Sequence, residues 1–361
     1  MFKDKKIKFT YHSEGFQTIN SVYSIEDCDF ILFGIDLIDE KNNPYNSNNS
    51  SIIDGKTLKP KGSINTQSFN SFFKLKDNEF AIYKGYSLFT IYEFNSDRTK
   101  YNHIQDLNIG EFGTGKNIIQ LSNGDLCALT IHTGYFGLNI YRKSDLNPKN
   151  APYGETFKFH LEDIHNVIDL NEKEFLGLQR KSGGIESLVL NIISTDDYKT
   201  KRKNEIKFRD GNINRIFLSY SLPIQKYGEN KLVGGGVDKL YIFGLDSLEL
   251  ETIISFDKII NNIFIRPKGN IFLILKSHEK NPETTNTLNS YSSYYYLSDV
   301  KFDYQKNDIK IAQEEKITEY TKGHEDLFYM YNYINNGLIT LVDKNEVIIY
   351  EDFGDSNDYQ P

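Results

Sequence analysis

Short apolar runs and tight polar turns alternate along this chain in one recurring order: a strand, a turn, a second strand, a short link and an aromatic third strand. Residues 70 to 95 show the unit most plainly. Asn70 to Leu75 reads as a strand, Lys76-Asp77-Asn78 as a turn, Phe80 to Tyr83 as a second strand and Ser87 to Tyr92 as a third. Apolar residues that recur every second position, bounded by Asn, Asp, Gly and Lys, predict hairpins rather than helices. The unit returns around the turns Ser122-Asn123-Gly124, Asn171-Glu172-Lys173, Tyr227-Gly228-Glu229-Asn230, Pro267-Lys268-Gly269-Asn270 and Asn335-Asn336-Gly337. A weaker first copy runs from Val22 to Ile53 around Glu26-Asp27. Glycine suits these turns because it takes the positive φ that tight hairpins need.

Seven units, spaced about 51 residues apart, leave room for a fourth, outer strand in each, such as Leu250 to Phe256 or Glu205 to Phe208. That period predicts an all-β fold: a single seven-bladed β-propeller occupying residues 1–352, followed by a short acidic tail at 353–361. A linear stack would expose an apolar face at each end, whereas a ring leaves only short, protected edges. The alternating segment Lys6 to Tyr11 has no other place in the pattern. It supplies the outer strand that the seventh unit lacks, and so closes the ring. Two long steps hold insertions, at Lys199 to Asn214 and at His278 to Tyr296. Two stretches, Asn42 to Ser51 and Ser277 to Ser292, read as polar loops.

Composition sharpens this picture. The 361 residues include 25 Tyr and 25 Phe, while Ala occurs only at Ala81, Ala128, Ala151 and Ala312. A chain so poor in the best helix former and so rich in strand formers excludes helical bundles and Rossmann-type folds. The start lacks the apolar core of a signal peptide and no run is long enough to span a membrane, which predicts a cytoplasmic, monomeric protein. Two cysteines, Cys28 and Cys127, make no disulfide framework. A net charge of -8 argues against a nucleic-acid partner.

The units resemble WD40 repeats, and the last copy carries the resemblance best. There Lys322-Gly323-His324-Glu325-Asp326 is followed by Leu338-Ile339-Thr340-Leu341-Val342-Asp343 and then by Val347-Ile348-Ile349-Tyr350-Glu351-Asp352. This is the family's order of Gly-His, hydroxyl, turn aspartate and aromatic-acid pair, with Tyr350 standing where the family has Trp. The resemblance implies a structural network of His324, Thr340 and Asp343 in the last blade. It also implies a non-enzymatic scaffold whose loops and faces hold protein or peptide partners, without a cofactor.

Few residues suggest chemistry. Gly110 to Lys116 has the spacing of a phosphate-binding loop, but Asn117 replaces the Ser or Thr that would ligate magnesium and a strand follows where a helix is required. His160, Glu162, Asp163 and His165 fall close together, yet alternation sends two to each face, too few for zinc. The basic run Lys199, Lys201, Arg202, Lys203, Lys207 and Arg209 opposes the overall charge. It is a candidate interaction patch for acidic segments or, as the alternative function, for phosphoinositides and anionic membrane surfaces by peripheral contact. Tyr291, Tyr294 and Tyr295 form a second candidate patch, because tyrosine presents a large amphipathic ring. A third alternative, an enzyme with its site at the channel mouth, has no motif behind it.

Overall fold

The computed structural model describes residues 6–10, 18–25, 29–35, 48–57, 59–64, 71–76, 78–85, 87–109, 114–132, 135–143, 159–181, 187–207, 224–236, 238–265, 271–280, 291–303, 308–320, 331–334, 337–343 and 346–351. Among these residues all regular structure is β. After β1 (Lys6–Thr10), the strands follow in hairpin-linked groups of four. The first group is β2 (Thr18–Ser24), β3 (Phe30–Ile35), β4 (Asn48–Ile53) and β5 (Pro60–Gly62). Next come β6 (Ser71–Lys74), β7 (Glu79–Gly85), β8 (Leu88–Phe94) and β9 (Tyr101–Asn108). The third group is β10 (Thr114–Gln120), β11 (Leu126–His132), β12 (Tyr135–Tyr141) and β13 (Phe159–Glu162). The fourth is β14 (Ile164–Asn171), β15 (Glu174–Lys181), β16 (Ser187–Ser194) and β17 (Thr200–Lys207). The fifth holds β18 (Gln225–Tyr227), β19 (Lys231–Gly235), β20 (Lys239–Gly244) and β21 (Leu250–Ser255), and the sixth β22 (Ile259–Ile265), β23 (Ile271–Lys280), β24 (Tyr291–Asp303) and β25 (Asp308–Tyr320). β26 (Tyr331–Ile334), β27 (Gly337–Asp343) and β28 (Glu346–Glu351) end the series.

Each group is one antiparallel sheet in chain order, and the last three strands take β1 as their fourth, in the order β1-β28-β27-β26. Lys6 lies opposite Tyr350 and Thr10 opposite Glu346, the pairing expected of the N-terminal segment. The chain divides into two compact units, residues 1–162 with 324–361 and residues 163–323. The first holds four of these sheets and the second holds three.

Within each unit the core lies between successive sheets, and the two-residue period of a strand decides which neighbour a side chain meets. On β7, Phe80 and Ile82 pack toward the β2–β5 sheet with Ile31, Ile52 and Ile64. The alternate residues Ala81 and Tyr83 pack toward the β10–β13 sheet with Ile118, Leu126 and Tyr141. In the second unit Leu232 faces the fourth sheet and Val233 the sixth. Described inner strands such as β7 and β19 are therefore buried on both faces. β16 is buried along its whole length, while β21, at its sheet's edge, alternates between half-buried and exposed residues. Burying one such Phe or Leu contributes about 1.5–3 kcal/mol, which makes these double-faced strands the main source of stability.

Two expected insertions take a different form. Residues 200–207 of the first belong to β17, an ordinary outer strand. In the second, β23 continues through Ser277 and His278 to Lys280, and β24 already begins at Tyr291, opposite Lys280. Continued pairing overrides polar composition at both ends of that stretch. In the same way Asn48 to Ser51, read as loop, are the first residues of β4.

Candidate functional site

The register brings together a set of ion pairs at matching places in three sheets. A β-bulge throws one residue of the outer strand out of register: Lys61 on β5, Lys201 on β17 and Glu251 on β21. A bulged residue is free of the ladder and its side chain is re-aimed. In each sheet it meets a residue at the start of the second strand, Asp29 just before β3, Glu174 opening β15 and Lys231 opening β19, so Lys61 pairs with Asp29, Lys201 with Glu174 and Lys231 with Glu251. The polarity is reversed in the fifth sheet.

The Asp29 pair is the buried one. Asp29 is 4% exposed, and besides Lys61 Nζ its Oδ2 accepts a hydrogen bond from Arg98 Nη1 at 3.0 Å, while its Oδ1 accepts the Gly55 N–H at 3.2 Å. Arg98 arrives from the β8–β9 turn of the next sheet, held by a left-handed backbone at φ 57°. Two cations on one carboxylate join the first and second sheets.

The basic run proves to be spread along β17. Lys199 pairs with Asp197 at 3.7 Å and Lys201 with Glu174 at 3.3 Å. Arg202 Nη1 donates to the Asp246 carbonyl at 2.7 Å, and Asn204 Nδ2 donates to the Leu248 carbonyl at 3.0 Å, both in the β20–β21 turn of the next sheet. Glu205 sits within the run, accepts Lys181 Nζ and Ser187 Oγ, both at 2.8 Å, and is held below the usual carboxylate range first by the Lys181 hydrogen bond. Lys203 and Lys207 are exposed, and Arg209 lies outside the described residues. Half of this strand's basic character is thus spent within its own fold.

A second surface lies in the first unit, where the first strands of consecutive sheets run side by side. A cleft of about 460 Å³ opens along β6 and β10, with Tyr23 of β2 at one end. Phe73, Ile119 and Tyr23, each half-buried, give it an apolar floor together with the buried Phe72, Leu75 and Ile118. Its polar groups are Lys74, Lys76, Asn117 and Gln120, the last accepting the Lys76 N–H on Oε1 at 2.7 Å. Lys74 and Lys76 are exposed, and so is Lys116, the bulged residue of β10 beside Asn117. Gly115 makes the underlying contact possible, since a Cβ there would stand 2.7 Å from the Phe89 ring and 2.8 Å from the Tyr83 ring.

Sequence reasoning missed both the cleft and a chain of polar contacts that links the second and third sheets. Asn139, with no exposed surface, donates from Nδ2 to the Ile109 carbonyl at 2.9 Å, and its Oδ1 lies 2.6 Å from His160 Nδ1. Tyr141 donates its hydroxyl to the Asn108 carbonyl at 2.6 Å, and burial pushes that phenol well above its ordinary pKa. His160, itself exposed, is thus tied to Asn139 within its own sheet. His165 takes the Arg180 N–H on Nδ1 at 3.3 Å, and burial is the main cause that lowers its pKa.

No protein-family model matches the chain, and no curated protein matches it. Its fold is shared: 931 solved chains match. One of them, from the crystal structure of a mitotic checkpoint complex, aligns with a TM-score of 0.54 at 8% identity, covering 95% of this chain and 90% of that one. At such identity the likeness concerns the fold alone, an all-β, propeller-like arrangement of four-stranded sheets that agrees with the WD40-like pattern of the sequence.

The remaining expected residues fall as follows. Gly115, Lys116 and Asn117 lie in the strand β10, so the glycine-rich segment leads into a strand and not a helix; Gly110 to Gly113 are outside the described residues. Tyr291, Tyr294 and Tyr295 belong to β24, inside its sheet between β23 and β25, and their side chains are outside the description. Thr340 and Asp343 stand on β27, opposite Ile348 and Glu346, while their side chains and all of His324 lie outside it. Cys127 is buried.

Proposed function

We propose that this protein is a non-enzymatic scaffold, a WD40-like propeller whose seven blades close into one ring through β1 and whose surfaces hold protein or peptide partners. The observation that carries the proposal is the likeness, across nearly the whole chain, to a chain solved within a complex. The site chemistry supports it. Where charged side chains gather at Asp29 or along β17 they tie strands and sheets to one another, and the surface with an apolar lining open to solvent is a groove suited to side chains. The alternative, an anionic membrane surface on β17, draws less support, because Lys199, Lys201 and Arg202 already have partners in the fold.

Selection from a displayed random-peptide library on the folded protein tests the scaffold reading. Binders that share a sequence pattern and do not recognise the heat-unfolded chain are expected. Recovery of no pattern above background would overturn it.

A further inference from the structure

We infer that Asn123 is a modification site that the fold holds shut: it deamidates when the turn between β10 and β11 opens, and the carboxylate it leaves hinders that turn from closing again. The sequence supplies the chemistry. Asn123 is followed by Gly124, one of two Asn-Gly steps in the chain, the other being Asn336-Gly337. With no Cβ in the way, the backbone nitrogen of such a glycine reaches the preceding asparagine Cγ with little hindrance. A bond from Gly124 N to Asn123 Cγ closes a five-membered succinimide. The side-chain nitrogen leaves as ammonia, taking up the proton that Gly124 N gives up. Water then adds to one of the two imide carbonyls and breaks the ring to aspartate or isoaspartate, so one water enters for each ammonia lost.

The folded turn opposes the first step at both reacting groups. Gly124 donates its N–H to the Leu121 carbonyl at 3.0 Å, which holds the proton that ring closure must remove. Asn123 is fixed from the other side: its Oδ1 accepts the Asp125 N–H at 3.1 Å, and its Nδ2 donates to Asp125 Oδ2 at 3.0 Å. Both contacts turn the amide toward Asp125, whereas ring closure needs its carbon on Gly124 N. The same bonds make the product costly. Asp125 is 6% exposed, and its Oδ1 already accepts the Lys143 N–H at 2.7 Å, fastening the start of β11 to the chain just beyond β12. A carboxylate at position 123 takes the donor from Asp125 Oδ2 and sets a like charge against it in a poorly solvated place. Isoaspartate also adds a methylene to the backbone of a turn in which Gly124 stands at φ 91°. Opening of this turn thus exposes the third sheet to a covalent change that refolding does not undo.

The test incubates the full-length protein at mildly alkaline pH, folded and in guanidinium chloride, and follows Asn123 and Asn336 by peptide mass spectrometry. Conversion at Asn123 should be at least about tenfold slower in the folded protein than in denaturant, because only opened molecules react. Equal rates overturn the inference, as does an Asn123 that stays intact in denaturant while Asn336 converts. The damage is read separately. Asn123→Asp should lower the melting temperature by at least about 3 °C. Adding Asp125→Asn, which keeps an acceptor for the Lys143 N–H and sets an amide donor against the new carboxylate, should return most of that loss. If Asn123→Asp alone fails to fold, recovery of the folded protein by the double variant makes the same point. An Asn123→Asp protein that melts with the wild type, or a double variant that recovers nothing, overturns the inference.

Discussion

Single residues carry two different kinds of charge pairing here. Asp29 is buried with Lys61 and Arg98 around it, so removing its carboxylate strands two cations in a poorly solvated place. Asp29→Ala is expected to cost about 3–5 kcal/mol, read as a fall in the denaturant midpoint. The half-exposed pair Lys231 and Glu251 is worth less, because water screens it. Lys231→Glu alone should cost about 0.2–1 kcal/mol, and adding Glu251→Lys should restore the midpoint. His165 gives a pH signature. Its folded pKa lies below the unfolded value of about 6.5, so the unfolded chain binds the proton more readily and stability falls as pH drops below about 6.5. Replacing it by Asn, which keeps an acceptor for the Arg180 N–H, should flatten that part of the stability-pH curve while leaving stability above pH 7 unchanged.

Strands and turns were largely legible because alternation and turn residues are local. The second unit of the pattern, Asn70 to Tyr92, matches β6, β7 and β8 within a residue or two. Register was not legible. Nothing in the text of the chain marks Lys61, Lys201 and Glu251 as bulged, or places Asn139 beside His160, since both depend on pairings made across the sheet. Another recurrent element was hidden for the same reason. Between the third and fourth strands, Asp54–Lys59, Asn95–Lys100, Ser194–Lys199 and Gly244–Glu249 each form a six-residue turn closed by the first N–H on the last carbonyl. Arg98, Tyr198 and Leu248 sit in these turns with positive φ, a conformation that side chains of this size rarely take. Tyr198 and Leu248 are tucked into the core, so burial offsets the strain. At Gly115 the space is the constraint: Gly115→Ala should lower stability by about 1–3 kcal/mol by pushing on Phe89 and Tyr83.

For the molecule as a whole, the pairing of β1 with β28 joins the two ends of the sequence in one sheet. Deleting residues 1 to 12 removes an entire strand from that ladder, and the melting temperature is expected to fall by at least about 5 °C. A deletion that melts with the full-length protein would contradict the proposed closure. Composition told the fold class because few ways remain to bury 25 Phe and 25 Tyr without helices. It said little about the groove, whose lining residues look unremarkable until β6 and β10 are laid side by side.

Repeats that resemble one another invite mistakes while the chain is folding, since an outer strand can join the wrong sheet. The reversed pair of the fifth sheet guards against this. If β17 were captured by the fifth sheet, Lys201 would meet Lys231; if β21 were captured by the fourth, Glu251 would meet Glu174. Each error sets like charges against each other, and each correct assembly sets opposite ones. The doubly reversed protein, Lys231→Glu with Glu251→Lys, should keep its stability yet lose this discrimination, and would refold from denaturant in lower yield. A pair worth well under 1 kcal/mol at equilibrium can in this way act as an address label, read once, while the strands are finding their places.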